Sequence, residues 1–362
     1  MRVVLDSRYP ADRYPGIARY VEVLGEGLAQ LPDGPQLTLL SEGPPPRSWA
    51  EQWRLPLSAE VGDEGGAQPT IRRARTASPF DLWHAPYLVF PYAVPLPVVV
   101  TIFDVIGIRP GAGTNRRAVA LAVRLALRRA RLVLTASRAS AREIGRAFPT
   151  FAHKLRVVPA AVAARFRAPG AEARRSVTER LGLPHRYLLY VGTDRPHKNL
   201  ARLTAAVARY RATASDDIVL LVAGPREGRV AAGADTAAVR FLGRVPDDDL
   251  PALYAGAQLF VTASSAEGFG FPVLEAMACG TAVACSDTPA LVEVTGDAAV
   301  RFATAEPPAI AGAIVEAMEC RAELARRSLA RAAAYSPART AALTAEVYRE
   351  ALDRPSRWRY HP

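Results

Sequence analysis

The sequence predicts an α/β protein made of two doubly wound parallel sheets, and three observations carry that prediction. Short β-branched runs alternate with helix-period patterns, the alternation restarts after a polar, arginine-rich stretch near 165–185, and 362 residues suffice for two domains of ordinary size. The first half opens with VVLD at 3–6 and a helix from about Gly16 to Leu31. LWHA at 82–85 and VVVTIFD at 98–104 lack polar alternation, as expected of strands covered by helices on both faces. An arginine-rich helix at 114–133, LVLTAS at 132–137, a helix near 138–148 and RVVPA at 156–160 complete this half. The rhythm resumes with YLLYVG at 187–192, a helix from Asn199 to about Arg211, IVLLVAG at 218–224 and VRFLG at 239–243. LFVTAS at 259–264 and TAVACS at 281–286 follow. Helices from about Pro307 to Leu352 are long enough to pack the second domain and to reach back to the first. The expected domains are 1–168 and 169–336, facing one another across a cleft, with a C-terminal helix at about 337–362 that could pack back on the first. Ligands of such sheets sit beyond the carboxyl ends of the strands.

One stretch concentrates chemistry at such an end. In SSAEGFGFPVLEAMACG, 264–280, Pro272 suits a first helical residue and Gly280 the position just past the C-terminus, so a helix is expected from Pro272 to Cys279. Gly268 and Gly270 precede it in a loop that can expose successive N–H groups beside the positive end of the helix dipole, a cradle for an anion. Glu275 is expected in the first helical turn and Glu267 at the mouth of the loop. Acids beside an anion cradle suit a ligand carrying both phosphates and hydroxyls, because each carboxylate accepts from hydroxyl donors. Taken alone, Glu275 would equally serve as an acid that complements the dipole.

Bulk properties narrow the classes. Half of the residues are hydrophobic and 22% are charged, as in globular chains, and the longest apolar runs are far shorter than a membrane span. No signal-peptide pattern opens the chain, so a cytoplasmic protein is expected, possible contact with the inner face of the membrane aside. Cys279, Cys285 and Cys320 share no metal-ligand spacing and are read as buried, reduced thiols. Asp247, Asp248 and Asp249 directly precede an apolar helix pattern and are read as helix-starting acids, so no metal site is expected. The net charge of +11 calls for a negatively charged partner. Its clearest concentration is 114–133, where Val119, Val123, Leu127 and Ala130 recur at helical spacing among Arg116, Arg117, Arg124, Arg128, Arg129 and Arg131. Two readings stay open, an anionic membrane surface or lipid-phosphate acceptor on the one hand and, on the other, a solvated helix whose arginine stems cover apolar surface. No basic stretch is interleaved with stacking aromatics, and nucleic acid is not expected as a partner.

Several segments together resemble the retaining glycosyltransferases of family 4, which have the two-domain GT-B fold. They are YPGIARYVEVLGEGLAQL at 14–31, DLWHAPY at 81–87, TIFDVIGIRP at 101–110, LTASRASAREIGRAF at 134–148 and YVGTDRPHKNLARLTAA at 190–206. The longest is LGRVPDDDLPALYAGAQLFVTASSAEGFGFPVLEAMACGTAVACSD at 242–287, followed by ALVEVTGDAAVRF at 290–302. Two glutamates with seven residues between them are that family's hallmark, met here by Glu267 and Glu275.

The resemblance implies a nucleotide-sugar-binding second domain and an acceptor-side first domain. Glu275 would accept from ribose hydroxyls and Glu267 from the donor hexose, while the backbone of Gly268, Phe269, Gly270 and Phe271 holds sugar and diphosphate. Lys198 would neutralise the departing diphosphate. The position before it is usually arginine and is His197 here, with Arg195 a substitute. Gly16 matches the first-domain loop that closes over phosphates and acceptor, and Gly243, Arg244 and Val245 match the loop that reads the base. Asp104 is retained, but Phe103 stands where the family often has a histidine, and His84 is only a partial candidate for that role against the reading of a satisfied packing residue. The implied reaction retains anomeric configuration and needs neither metal nor cofactor, the nucleotide sugar being a substrate. GDP-mannose is the first expected donor, with UDP- and dTDP-sugars open, and the acceptor is a glycan, a lipid-linked glycan or a small molecule. A sugar-nucleotide epimerase or hydrolase of the same fold, or a noncatalytic partner subunit, are the alternatives.

Overall fold

The chain divides into two compact units, Met1–Ala163 with Ser336–Pro362, and Ala164–Tyr335. The computed structural model describes residues 1–8, 15–41, 60–61, 71–72, 80–90, 94–109, 115–225, 237–303 and 306–353.

Unit 1 carries a six-stranded parallel sheet in the order β2-β1-β5-β6-β7-β8. Its strands are β1 (Arg2–Asp6), β2 (Gln36–Leu40), β5 (Leu82–Ala85), β6 (Val98–Thr101), β7 (Leu132–Thr135) and β8 (Leu155–Val157). A separate antiparallel pair is formed by β3 (Glu60–Val61) and β4 (Ile71–Arg72). Every residue of β5, β6 and β7 is buried, the pattern of strands covered on both faces, whereas the edge strands β2 and β8 are only partly covered. The helices are α1 (Pro15–Ala29), α2 (Arg116–Arg129), α3 (Arg138–Ala147) and, from the far end of the chain, α11 (Pro337–Asp353). Helix α2 buries Ala122, Val123, Ala126 and Leu127, and α3 is capped by Ser137, whose Oγ accepts from the Ser140 N–H at 3.0 Å. Lys154 closes the other end of α2 by donating to the Leu127 and Ala130 carbonyls at 2.8 and 2.6 Å.

Unit 2 repeats the plan with the order β11-β10-β9-β12-β13-β14, again parallel throughout. Its strands are β9 (Tyr187–Val191), β10 (Val219–Ala223), β11 (Val239–Gly243), β12 (Leu259–Thr262), β13 (Val283–Ser286) and β14 (Val300–Phe302). The helices are α4 (Ala171–Leu181), α5 (Leu200–Ala214), α6 (Leu250–Gly256), α7 (Phe271–Ala278), α8 (Pro289–Thr295), α9 (Pro307–Glu319) and α10 (Arg321–Ala332). Leu203, Val207, Leu220, Val261, Ile310 and Ile314 meet in one core between the sheet, α5 and α9. Each such side chain, once removed from water, contributes roughly 1.5–3 kcal/mol before entropy is counted.

The structure refines four expectations. The polar stretch near 165–185 is not a bare joint, because 171–181 within it is helix α4, which belongs to unit 2. Asp249 stands at the N-cap of α6 without a side-chain capping bond, and its carboxylate instead grips Arg180 of α4 at 2.6 and 2.8 Å. Among the six arginines, Arg129 donates to the Leu96 carbonyl and Arg131 to the Ala351 carbonyl, so these two bind backbone within unit 1. All three cysteines are free, but Cys320 is only partly buried. No helix among the described residues is long and apolar enough to cross a membrane.

Candidate functional site

In unit 2 the chain leaves β9 toward β10 and β11 on one side, while β12, β13 and β14 lie on the other. The carboxyl ends of β9 and β12 therefore flank a reversal of strand order, the place where an open parallel sheet leaves a crevice for ligands. After β9 the chain makes the 3-10 turn Pro196–Lys198, and after β12 it enters the loop that leads to α7. These two segments are stitched together. The His197 carbonyl accepts from the N–H and Oγ of Ser265 at 2.7 and 3.2 Å, and Asn199, in the left-handed conformation at φ 52°, donates its amide to the Ala263 carbonyl at 2.8 Å.

Across that seam Lys198 and Glu267 form an ion pair at 2.6 Å, with their side chains only 17% and 13% exposed. Tyr190, on β9, donates to the Thr193 carbonyl at 2.8 Å, and burial, reinforced by Glu267 and Asp194, pushes its phenol well above the ordinary range. The carboxyl ends of the three neighbouring strands are lined by glycine: Gly192 N–H donates to the Ala223 carbonyl and Gly224 N–H to that of Gly243, at 2.9 and 2.8 Å. A Cβ on Gly224 would collide with the Gly192 carbonyl oxygen, so only glycine lets these two strand ends close on each other. Beyond Gly243, which has φ 72°, Arg244 is exposed and Val245 is buried. Arg195 is exposed at the start of the turn.

Helix α7 begins one residue earlier than expected, at Phe271, with Gly270 in the left-handed region at φ 106° as its N-cap. Gly268, Phe269 and Gly270 are buried, and the Phe269 ring packs edge-on against Phe271 and Tyr335, at 5.1 and 5.8 Å between centroids. Glu275 is the fifth helical residue rather than a first-turn acid, and it is 2% exposed. Its Oε2 accepts from the Tyr254 hydroxyl at 2.8 Å. The helix ends at Ala278, one residue before the expected Cys279, and Gly280, φ 74°, stands just past the end as expected, its N–H bonding the Met277 carbonyl while the Thr281 N–H reaches that of Ala276, both at 3.0 Å.

The remaining candidates belong to unit 1. Gly16 is the second residue of α1 and is partly exposed. Asp104 uses Oδ1 to accept from the Ile106 N–H at 2.9 Å, which holds the turn after β6. Phe103 packs edge-on against Tyr20 at 5.0 Å. His84 is a packing residue, fully buried, with Nδ1 2.7 Å from the Tyr348 hydroxyl and Nε2 2.8 Å from Thr101 Oγ1. Sequence reasoning also passed over Arg8, whose guanidinium grips Asp6 at 2.8 and 2.7 Å with both side chains buried at the carboxyl end of β1. It passed over Gly192, Gly224, Tyr190 and Tyr254 as well. Glycines set directly after the apolar runs YLLYV and VLLVA are a legible signal for the first two; the tyrosines sit inside apolar patterns and give none.

A Glycosyltransferase Family 4 model matches residues 14–166, and a Glycosyl transferases group 1 model matches residues 177–335. The chain is 39% identical over 149 residues to the O-antigen chain mannosyltransferase B of Escherichia coli, covering 37% of each. It is 31% identical over 220 residues to a D-inositol 3-phosphate glycosyltransferase of Salinispora arenicola, covering 54% of this chain and 49% of that one. Matches to these relatives thus span half their length or less. Among solved structures, sucrose-phosphate synthase from Thermosynechococcus elongatus superposes with a TM-score of 0.72 at 18% identity, over 97% of this chain and 99% of that one. Anabaena HepE in complex with UDP and glucose gives 0.71 at 18% identity, over 97% and 100%. With one model over each half, a six-stranded parallel sheet in each unit and the likeness to these structures along almost the whole chain, the chain belongs to the family 4 glycosyltransferases of the GT-B fold.

Proposed function

We propose that the protein transfers a hexose from a nucleotide-diphosphate sugar, GDP-mannose first, to the hydroxyl of a glycan, lipid-linked or small-molecule acceptor, with retention of configuration and without a metal. The observation that carries this reading is the largely buried Lys198–Glu267 pair at the strand-order reversal of unit 2, beside the glycine-started helix that holds Glu275. In the free protein each charge satisfies the other. A bound donor offers both better partners, diphosphate oxygens to the ammonium and hexose hydroxyls to the carboxylate. As the bond from the anomeric carbon to phosphate oxygen breaks, negative charge grows on the diphosphate and Lys198 stabilises it more than in the ground state. The acceptor oxygen forms the new bond on the face the phosphate leaves, and its proton passes to the departing phosphate oxygen, so no protein base is needed. Glu275 holds the ribose and the backbone beyond Gly243 meets the base. The choice of mannose leans on the Escherichia coli mannosyltransferase relatives.

An anionic membrane is the second partner of this reading. Arg117, Leu121, Arg124 and Arg128 stand at i, i+4, i+7 and i+11 on α2 and are all exposed, Leu121 by 54%. Among the described residues no carboxylate pairs with Arg116, Arg117, Arg124 or Arg128. A basic stripe about 17 Å long with an apolar residue near its middle fits a lipid headgroup layer better than a purely polar polyanion.

The test is a panel of nucleotide sugars read by thermal shift, followed by transfer to candidate acceptors with the product anomer assigned by NMR. The true donor at a hundred times its Kd stabilises by about 2.7 kcal/mol. A panel in which no nucleotide sugar or nucleoside diphosphate moves the unfolding temperature would sink the proposal.

A further inference from the structure

The buried hydroxyl that meets Glu275 belongs to a residue the donor reading does not use. Tyr254, on α6, is fully buried, and its ring is wedged against Phe166 edge-on at 6.1 Å and Phe260 at 5.7 Å. Its backbone carbonyl accepts from Thr281 Oγ1 at 2.7 Å, which ties the end of α6 to the residue just beyond α7. The phenol is therefore held at both its ring and its main chain, and its O–H points at Glu275 Oε2 from 2.8 Å. A carboxylate in a buried setting without such a donor is costly, and a long side chain without one has rotamers to choose among. A hydroxyl has one proton to give. Donated to Oε2, it restricts the orientation of the carboxylate.

We propose that Tyr254 is a positioning residue that orients the Glu275 carboxylate toward the vicinal hydroxyl pair of a ribose. This rests on the donor-site reading above. The contact made through Glu275 is the same in ground and transition states, so its loss raises KM and leaves kcat in place. It also acts only on ligands that carry the hydroxyls. A purely structural role for Tyr254 would weaken every nucleotide alike.

The experiment measures binding of GDP and UDP and their 2′-deoxy forms to wild type, Tyr254→Phe, Glu275→Gln and the double variant. Tyr254→Phe keeps the ring and its packing while removing only the hydroxyl. It is expected to bind the ribonucleotide about tenfold more weakly, the effect of one charge-assisted hydrogen bond, and to lose most of the preference for ribose over deoxyribose that wild type shows. Its kcat should stay within about twofold of wild type while KM for the donor rises about tenfold. In the double variant, Tyr254→Phe should add no further loss to Glu275→Gln. An unchanged ribose-to-deoxyribose ratio in Tyr254→Phe, or a full additional loss in the double variant, would overturn the positioning role while leaving the donor site intact. Ribonucleotide binding undiminished in Glu275→Gln would remove the donor-site reading, and this inference with it.

Discussion

Lowering the pH from 7 toward 4 is expected to destabilise unit 1 through His84. The imidazole is fully buried, and both ring nitrogens are engaged, one by Tyr348 and the other by Thr101, whose Oγ1 also lies 3.1 Å from the Tyr20 hydroxyl. The three hydroxyls around the ring offer no charge to balance a proton, and burial pushes the pKa from 6.5 to about 3. Above the unfolded value, about 6.5, neither state binds the proton and His84 adds no pH dependence. Between about 6.5 and about 3 the unfolded chain takes up a proton that the folded chain refuses. Stability therefore falls as the pH falls, by about 1.4 kcal/mol per unit, which over the window accumulates to roughly 5 kcal/mol, a large part of a typical domain's stability. Trp83, buried in β5, reports the unfolding of unit 1 by urea through its fluorescence. His84→Gln keeps a donor and an acceptor but does not titrate. The wild type should lose stability faster than this variant between pH 6 and 4, by about 1.4 kcal/mol for each unit. Parallel stability profiles for the two proteins would refute the argument.

Three further outcomes are expected. Lys198→Ala should slow transfer by about a hundredfold or more, the cost of removing one group aimed at developing charge, and should also lower stability by about 1–3 kcal/mol because it leaves the largely buried Glu267 carboxylate without this partner. Chelator should leave wild-type transfer unchanged; activity that dies with chelator and returns with magnesium or manganese contradicts the metal-free proposal. Neutralising Arg116, Arg117, Arg124 and Arg128 together should weaken sedimentation with phosphatidylserine vesicles at low salt, each arginine near the surface contributing about 1 kcal/mol. Donor binding should be untouched, and wild-type vesicle binding should fade as salt rises; no wild-type binding at low salt would leave α2 a solvated helix.

Much of the architecture was legible because it depends on local patterns. Runs such as YLLYV and VLLVA carry apolar residues without alternation, which only a doubly covered strand tolerates, and each became a strand. Gly280 announced the end of α7, since few residues other than glycine sit comfortably at φ 74°. Helix α4 escaped notice because AEARRSVTERL buries only Val177 and so has no periodic apolar face to read. It is held from outside itself, by Arg180 on Asp249 and by Arg240, which donates to the Leu181 and Gly182 carbonyls at its end. The same distance in sequence hid the partner of Asp249.

The candidate site divides along the same line. By itself the chain determined which residues stand at the strand ends and which segments form the glycine-rich entrance to α7, because strand length, turn chemistry and helix caps are settled within a few neighbours. Only the tertiary structure decided that Lys198 meets Glu267, 69 positions away, that Tyr254 donates to Glu275, and that His84 is shut between Thr101 and Tyr348, 264 positions away. The physical reason is that a buried polar group must find its partner wherever packing brings a donor within about 3 Å, and no periodicity along the chain encodes that choice.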